Sequence, residues 1–177
     1  MIKRSNTRYL SIMALTLCCF TQVNAVEPFT AGTGSPNNPF QIETVEQFLA
    51  FGQDPNLMDK CFVLMADLDL DPNLSESRIF DQSVVAPRFE GLFNGNHHTV
   101  RNLVIHAVSD VATGLFGYNG GLIQNLKLDN VSISGFYEVG IITGENYGVV
   151  KNCSVSGVLT GTGVLGGARR KKWAARC

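Results

Sequence analysis

Gly91-Leu92-Phe93-Asn94-Gly95-Asn96, followed closely by Val100-Arg101-Asn102-Leu103-Val104-Ile105, is a phrase that the chain writes three times. The second copy reads Gly114-Leu115-Phe116-Gly117-Tyr118-Asn119, then Ile123-Gln124-Asn125-Leu126-Lys127-Leu128. The third and loosest reads Gly140-Ile141-Ile142-Thr143-Gly144-Glu145-Asn146, then Val150-Lys151-Asn152-Cys153-Ser154-Val155. Asn102 and Asn125 lie 23 residues apart, and Asn125 and Asn152 lie 27 apart. Units of this length cannot bury an apolar face alone and do so by stacking on a neighbour. The expected fold is therefore all-β: a parallel β-helix, a solenoid whose coils carry three short strands and three corners.

In this register Leu103 and Ile105, Leu126 and Leu128, and Cys153 and Val155 fill equivalent inward positions. A third short strand falls at Val131–Ile133, with Val158 in the matching place one repeat later. Asn96, Asn119 and Asn146 form one asparagine series; Asn102, Asn125 and Asn152 form another. Both are read first as corner residues, because an asparagine amide satisfies exposed backbone groups and bonds to the asparagine of the next coil.

Ahead of the repeats, Cys61 to Leu70 alternates as a strand, with Phe62, Leu64, Ala66, Leu68 and Leu70 on one face. Val63, Met65, Asp67, Asp69 and Asp71 fall on the other face. Asp67, Asp69 and Asp71 are the candidate metal ligands, calcium being the ion that such hard oxygens take, although the EF-hand spacing is absent. A solvated acidic face is the simpler reading. Before this strand, Thr44 and Gln47 spell a capping box, and Val45, Phe48, Leu49 and Phe51 give a short helix its apolar stripe. Two turns of helix are unstable alone, so this one should cap the open end of the solenoid. Between Pro72 and Pro87 lies a loop whose Phe80, Val84 and Val85 can fold back onto the body.

The expected organisation is a signal peptide at 1–25, an extended entry at 26–40, the cap and first coil with its loop at 41–88, coils at 89–168 and a basic tail at 169–177. Lys3, Arg4 and Arg8 precede an apolar run from Tyr9 to Phe20, and Val23-Asn24-Ala25 offers a small-residue cleavage site. The run is too short to span a bilayer as a helix. Leu17 before Cys18 disfavours lipid attachment there. The expected product is a secreted or cell-surface protein with no stable membrane span after processing.

Residues 26 to 168 hold six basic and fifteen acidic residues, whereas Arg169, Arg170, Lys171, Lys172 and Arg176 crowd the tail. An acidic body does not attract nucleic acid. Cys61, Cys153 and Cys177 remain after processing, an odd number that describes no disulfide framework. The tail interrupts what starts at Gly161 as a further copy, which is how a truncated chain would read, and a bare last coil would self-associate through its open edges.

The sequence contains no HExxH, GxSxG, GxxxxGK or CxxC pattern. Asp67, Asp69, Asp71, Glu90, His97, His98 and Asp110 are the groups a polysaccharide-cleaving lyase or glycoside hydrolase could use, but three acids in one strand do not make a cleft, and no catalytic residue is assigned.

Gly114-Leu115-Phe116-Gly117-Tyr118-Asn119 with Ile123-Gln124-Asn125-Leu126 resembles the GLUG repeat of large bacterial surface and secreted proteins, also found in some immunoglobulin-cleaving metallopeptidases. The lead-in is similar as well: Gly32-Thr33-Gly34, Pro39-Phe40-Gln41-Ile42, the helix from Thr44, Phe62-Val63-Leu64, Asp67-Leu68-Asp69-Leu70 and the stretch from Phe89 to Val100. The resemblance runs from about Gly32 to Gly161 and implies a right-handed parallel β-helix. It transfers no catalytic residue. The expected function is a noncatalytic extracellular module, a spacer or an adhesive face that meets glycan or protein. The alternatives are the secreted polysaccharide-cleaving enzyme and a calcium-stabilised glycan-binding module.

Overall fold

The computed structural model describes residue 29, residues 31–75 and 77–162, and the strand Lys172–Arg176. The expected leader and Cys177 lie outside the described residues. The chain opens with strand β1 (Phe40–Ile42) and helix α1 (Val45–Gln53), passes a 3-10 turn at Pro55–Leu57, and enters β2 (Cys61–Leu64) and β3 (Leu68–Asp69). The next coil holds β4 (Leu92–Asn94), β5 (Thr99–Arg101) and β6 (Val104–His106). Then come β7 (Ala112–Thr113), β8 (Phe116–Asn119), β9 (Leu122–Gln124) and the long β10 (Lys127–Gly135). The last coil comprises β11 (Glu138–Val139), β12 (Thr143–Asn146), β13 (Val149–Lys151) and β14 (Ser154–Gly161), followed by β15 (Lys172–Arg176).

These strands stack in parallel as the sides of a β-helix. One side is the five-rung ladder β1-β2-β4-β9-β13. Phe40, Phe62, Phe93, Ile123 and Val150 stand over one another in it, so four turns separate five rungs. A second side is β3-β5-β10-β14, with β6 also on β10. Phe80 adds to this second side through its bridge to Ile105 of β6, and the third side combines β7-β11, β8-β12 and the bridges of Val85 to Phe116 and Phe89 to Asn119. The loop from Pro72 to Pro87 thus supplies wall, and Phe80, Val84 and Val85 are buried in it.

Helix α1 forms where its caps dictate. Thr44 Oγ1 accepts the Gln47 N–H at 3.3 Å, and Gln47 Oε1 accepts the Thr44 N–H at 3.2 Å. The helix does more than lie across an end: Phe48 and Phe51 enter the interior, where Phe51 meets Phe62, Phe89, Phe93 and Phe116. Beyond this aromatic half the core becomes aliphatic, through Leu103, Ile105, Leu126, Leu128, Val131 and Ile133.

The structure corrects the register of the first copy. Phe93 stacks on Ile123, 30 residues on, and not on Phe116. Phe116 belongs to another side, where Thr143 stands over it, and Asn119 pairs with Asn146. Gly-Leu-Phe-x-x-Asn therefore occurs on two different walls. Each wall wants an inward aromatic beside a glycine pressed against the neighbouring backbone, so similar demands wrote similar phrases. The step from the second copy to the third holds at 27 residues, since Ile123 underlies Val150.

The asparagine series regroup accordingly. Asn102 belongs with Asn130, whose Nδ2 donates to Asn102 Oδ1 at 2.7 Å. Asn125 donates to Asn94 at 3.0 Å and accepts from Asn152 at 3.4 Å. Asn119 and Asn146 form a third ladder at 2.7 Å, while Asn96 leaves its expected series to donate to the Leu64 carbonyl at 3.2 Å. Asn96, Asn102, Asn125, Asn130 and Asn152 all have positive φ, between 50° and 59°. Asparagine tolerates that left-handed corner better than other residues with a Cβ.

Three further expectations change. The strand foreseen over Cys61–Leu70 breaks at Met65–Asp67, because a coil side is only a few residues long and the chain must turn into the second wall. Val158 does fall opposite the Val131–Ile133 strand, at Ser132, but faces outward, and Leu159 is the inward partner of Ile133. Leu103 matches Val131 and not Leu126, since Val104 pairs with Ser132. At the other end, β15 pairs antiparallel with β14, Val158 opposite Lys172, so part of the basic tail is an added strand on the last coil. It covers one wall; β12 and β13 remain the outermost described strands of theirs. Among the described residues no helix is long and apolar enough to cross a membrane.

Candidate functional site

Asp67, Asp69 and Asp71 follow the corner from β2 into β3, and each carboxylate has its own donors. Asp67 Oδ1 accepts the Thr99 N–H at 2.9 Å and meets His98 Nδ1 at 3.1 Å. Asp69 takes Arg101 Nε at 2.9 Å, Asn102 Nδ2 at 2.7 Å and the Asp71 N–H at 3.1 Å. Asp71 caps the next turn, accepting from the backbone and side-chain nitrogens of Asn73 at 2.9 and 2.7 Å. The first two therefore lace the first coil to the second. Among the described residues no three His, Cys, Asp or Glu side chains converge as metal ligands.

The Thr99 N–H, and after it His98, hold the Asp67 carboxyl below the ordinary range; the Asn102 amide, then Arg101 and the Asp71 N–H, do the same for Asp69. The folded chain thus binds these protons more weakly than the unfolded one. The stability they add is complete above the unfolded aspartate pKa of about 3.9 and is lost as pH falls below it through the folded values. Asp69→Asn should flatten the acid limb of a plot of Tm against pH below about pH 4. An acid limb identical to the parent's would remove Asp69 from this role.

The other sequence candidates disperse. His97 is exposed at a left-handed corner with φ 65°, and its N–H donates to the Asn125 carbonyl, whereas His98 turns to Asp67. Glu90 bonds Arg88 and lies against Gly120. Asp110 lines a separate notch with Gln82, Ser83 and Tyr118. Cys61 and Cys153 are buried, and no disulfide joins them.

What the fold does assemble is a cleft of about 520 Å³ on the last coil, between β11 and β12. The chain bends at Ile141–Ile142, which brings Glu138 and Glu145 to one cleft although they are seven residues apart. Their carboxyl groups face each other in the cleft, and that proximity raises the Glu138 pKa and lowers that of Glu145, which the Tyr147 hydroxyl lowers further. Glu138 Oε2 is shielded from solvent yet accepts no hydrogen bond from the protein. The Tyr147 hydroxyl donates to Glu145 Oε2, and the Arg88 guanidinium lies 5.0 Å above the Tyr147 ring centroid. With its hydroxyl and one ring face engaged, Tyr147 is still 66% exposed. Thr143 and Asn146 complete the polar lining. The sequence reading missed Glu138, Glu145 and Tyr147; the one signal was Glu145-Asn146-Tyr147, an acid and an aromatic side by side in a glycine-rich stretch.

No family model and no solved structure matches the chain. Over 170 residues it is 31% identical to a putative Gly-rich membrane protein of Evansella cellulosilytica, an alignment that covers 84% of this chain and 19% of that protein. Over 147 residues it is 29% identical to halomucin of Haloquadratum walsbyi, covering 77% of this chain and 2% of halomucin. The chain spans a fifth or less of the length of these curated relatives.

Proposed function

We propose that this chain is a noncatalytic β-helix module of an extracellular or cell-surface protein, a stiff spacer whose outer faces present ligand-binding surface. The observation that carries the reading is the similarity of its stacked coils to short stretches of two much longer proteins, one named halomucin and the other a putative Gly-rich membrane protein. Coils that touch only their neighbours suit that role, because reach is added without redesigning a core. The GLUG resemblance and the export leader read over 1–25 point the same way.

In intact cells that express the chain with its own leader, protease shaving and antibody labelling should reach it. N-terminal sequencing of the exported form should begin at Val26. A protease-protected cytoplasmic pool that retains residues 1–25 would overturn the reading.

A further inference from the structure

We infer that the cleft of Glu138, Glu145 and Tyr147 binds one pyranose unit of an uncharged glycan, which deepens the proposed surface role and rests on it for its biological setting. The lining is rich in acceptors and poor in donors. Glu138 Oε2 has no protein donor, and the Glu145 carboxyl lines the same cleft beside it. Sugar hydroxyls are the donors that such a site lacks, and a carboxylate can accept two neighbouring ones at once.

Tyr147 supplies the other half of the recognition. Its ring is fixed by the hydroxyl bond to Glu145 and by Arg88 on one face, so its exposed surface is preorganised at little entropic cost. An amphipathic ring of this kind matches the apolar C–H face of a pyranose. A cleft of about 520 Å³ falls within the size range of small-molecule sites.

Charge narrows the class. Acidic glycans would set carboxylate or sulfate against Glu138 and Glu145, while Arg88, the nearby cation, is already bonded to Glu90. A cationic sugar would find the carboxylates but would share the Tyr147 ring with the Arg88 guanidinium. An uncharged pyranose incurs neither repulsion.

The test titrates the mature chain, followed by NMR and calorimetry, with cellohexaose, maltohexaose and mannohexaose, and with hexagalacturonate and a glucosamine hexamer as charged probes. At least one neutral hexasaccharide should bind, with shifts centred on residues 138–147, and more tightly than either charged probe. Tyr147→Ala should weaken it at least about tenfold at unchanged Tm, the scale of losing one aromatic anchor. Tyr147→Trp, which keeps the platform, should retain it. The inference fails if no neutral probe binds at millimolar concentration, if a charged probe binds more tightly, if the shifts fall elsewhere on the protein, or if Tyr147→Ala keeps full affinity. Any of these leaves surface location untouched, whereas a cytoplasmic location would sink the surface role with the cleft's chemistry intact.

Discussion

Phe51→Ala is expected to cost about 3 to 5 kcal/mol of folding stability, the range for removing a fully buried phenylalanine. Phe51 has no exposed surface. Its ring centroid lies 4.2 Å from that of Phe62, 5.7 Å from Phe89, 5.8 Å from Phe93 and 6.3 Å from Phe116. Those four partners come from different walls of the coil, so the cavity left by truncation could close only if several rungs moved together. Stacked and edge-on ring pairs add about 0.5 to 1.5 kcal/mol each beyond area burial, which pushes the cost toward the upper end. Urea unfolding measures it, and Leu49→Ala on the same helix is the comparison. Leu49 only packs against the edge of the core, so its loss should stay near about 1 kcal/mol. A Phe51→Ala cost below about 1 kcal/mol would mean that α1 is an ornament on a solenoid that stands without it.

That helix was legible in the sequence because its signals are local. Thr44 and Gln47 cap each other within one turn, and the apolar spacing of Phe48 and Phe51 needs no knowledge of the rest of the chain. The β-helix was legible for a related reason: a coil repeats its demands, and a repeat shows them more than once. What the repeat could not show was phase. Gly91 and Gly114 open phrases that look alike but stand on different walls, and only the pairing of Phe93 with Ile123 separates them.

The cleft was illegible for the opposite reason. Glu138 and Glu145 each look like an ordinary surface acid, and they meet in one cleft only because the chain bends between them. Arg88 comes from two coils earlier and reaches Tyr147 through stacking alone. Asp67, Asp69 and Asp71 were conspicuous in sequence because they alternate. In the structure the alternation serves the corner, and Asp67 and Asp69 spend their lone pairs tying coils together.

Gly121→Ala should be among the most damaging single methyls, because a column of close approaches runs through the first wall. A Cβ on Gly91 would lie 1.9 Å from the Lys60 carbonyl oxygen, one on Gly121 would lie 2.1 Å from the Gly91 oxygen, and one on Gly148 would lie 2.1 Å from the Gly121 oxygen. Those carbonyls already accept the stacking bonds: Leu92 N–H to Lys60 O at 3.1 Å, Leu122 N–H to Gly91 O at 2.9 Å and Val149 N–H to Gly121 O at 2.8 Å. A methyl at Gly121 can be relieved only by moving rungs apart, which breaks the bond that spaces them. Ordinary overpacking costs about 1 to 3 kcal/mol when side chains can shift. Here the obstacle is backbone on a coil held from both sides, so about 4 kcal/mol or outright failure to fold is expected. Gly148→Ala should cost less, because it lies on the outermost described rung of its wall and that rung can yield. Gly117→Ala should stay within about 1 kcal/mol of the parent, since its nearest neighbour is the Ser83 hydroxyl at 3.3 Å. Denaturant unfolding of the three variants fixes the order, and a Gly121→Ala chain as stable as Gly117→Ala would show that the coils can slide apart without loss, against the reading that backbone contact sets their spacing.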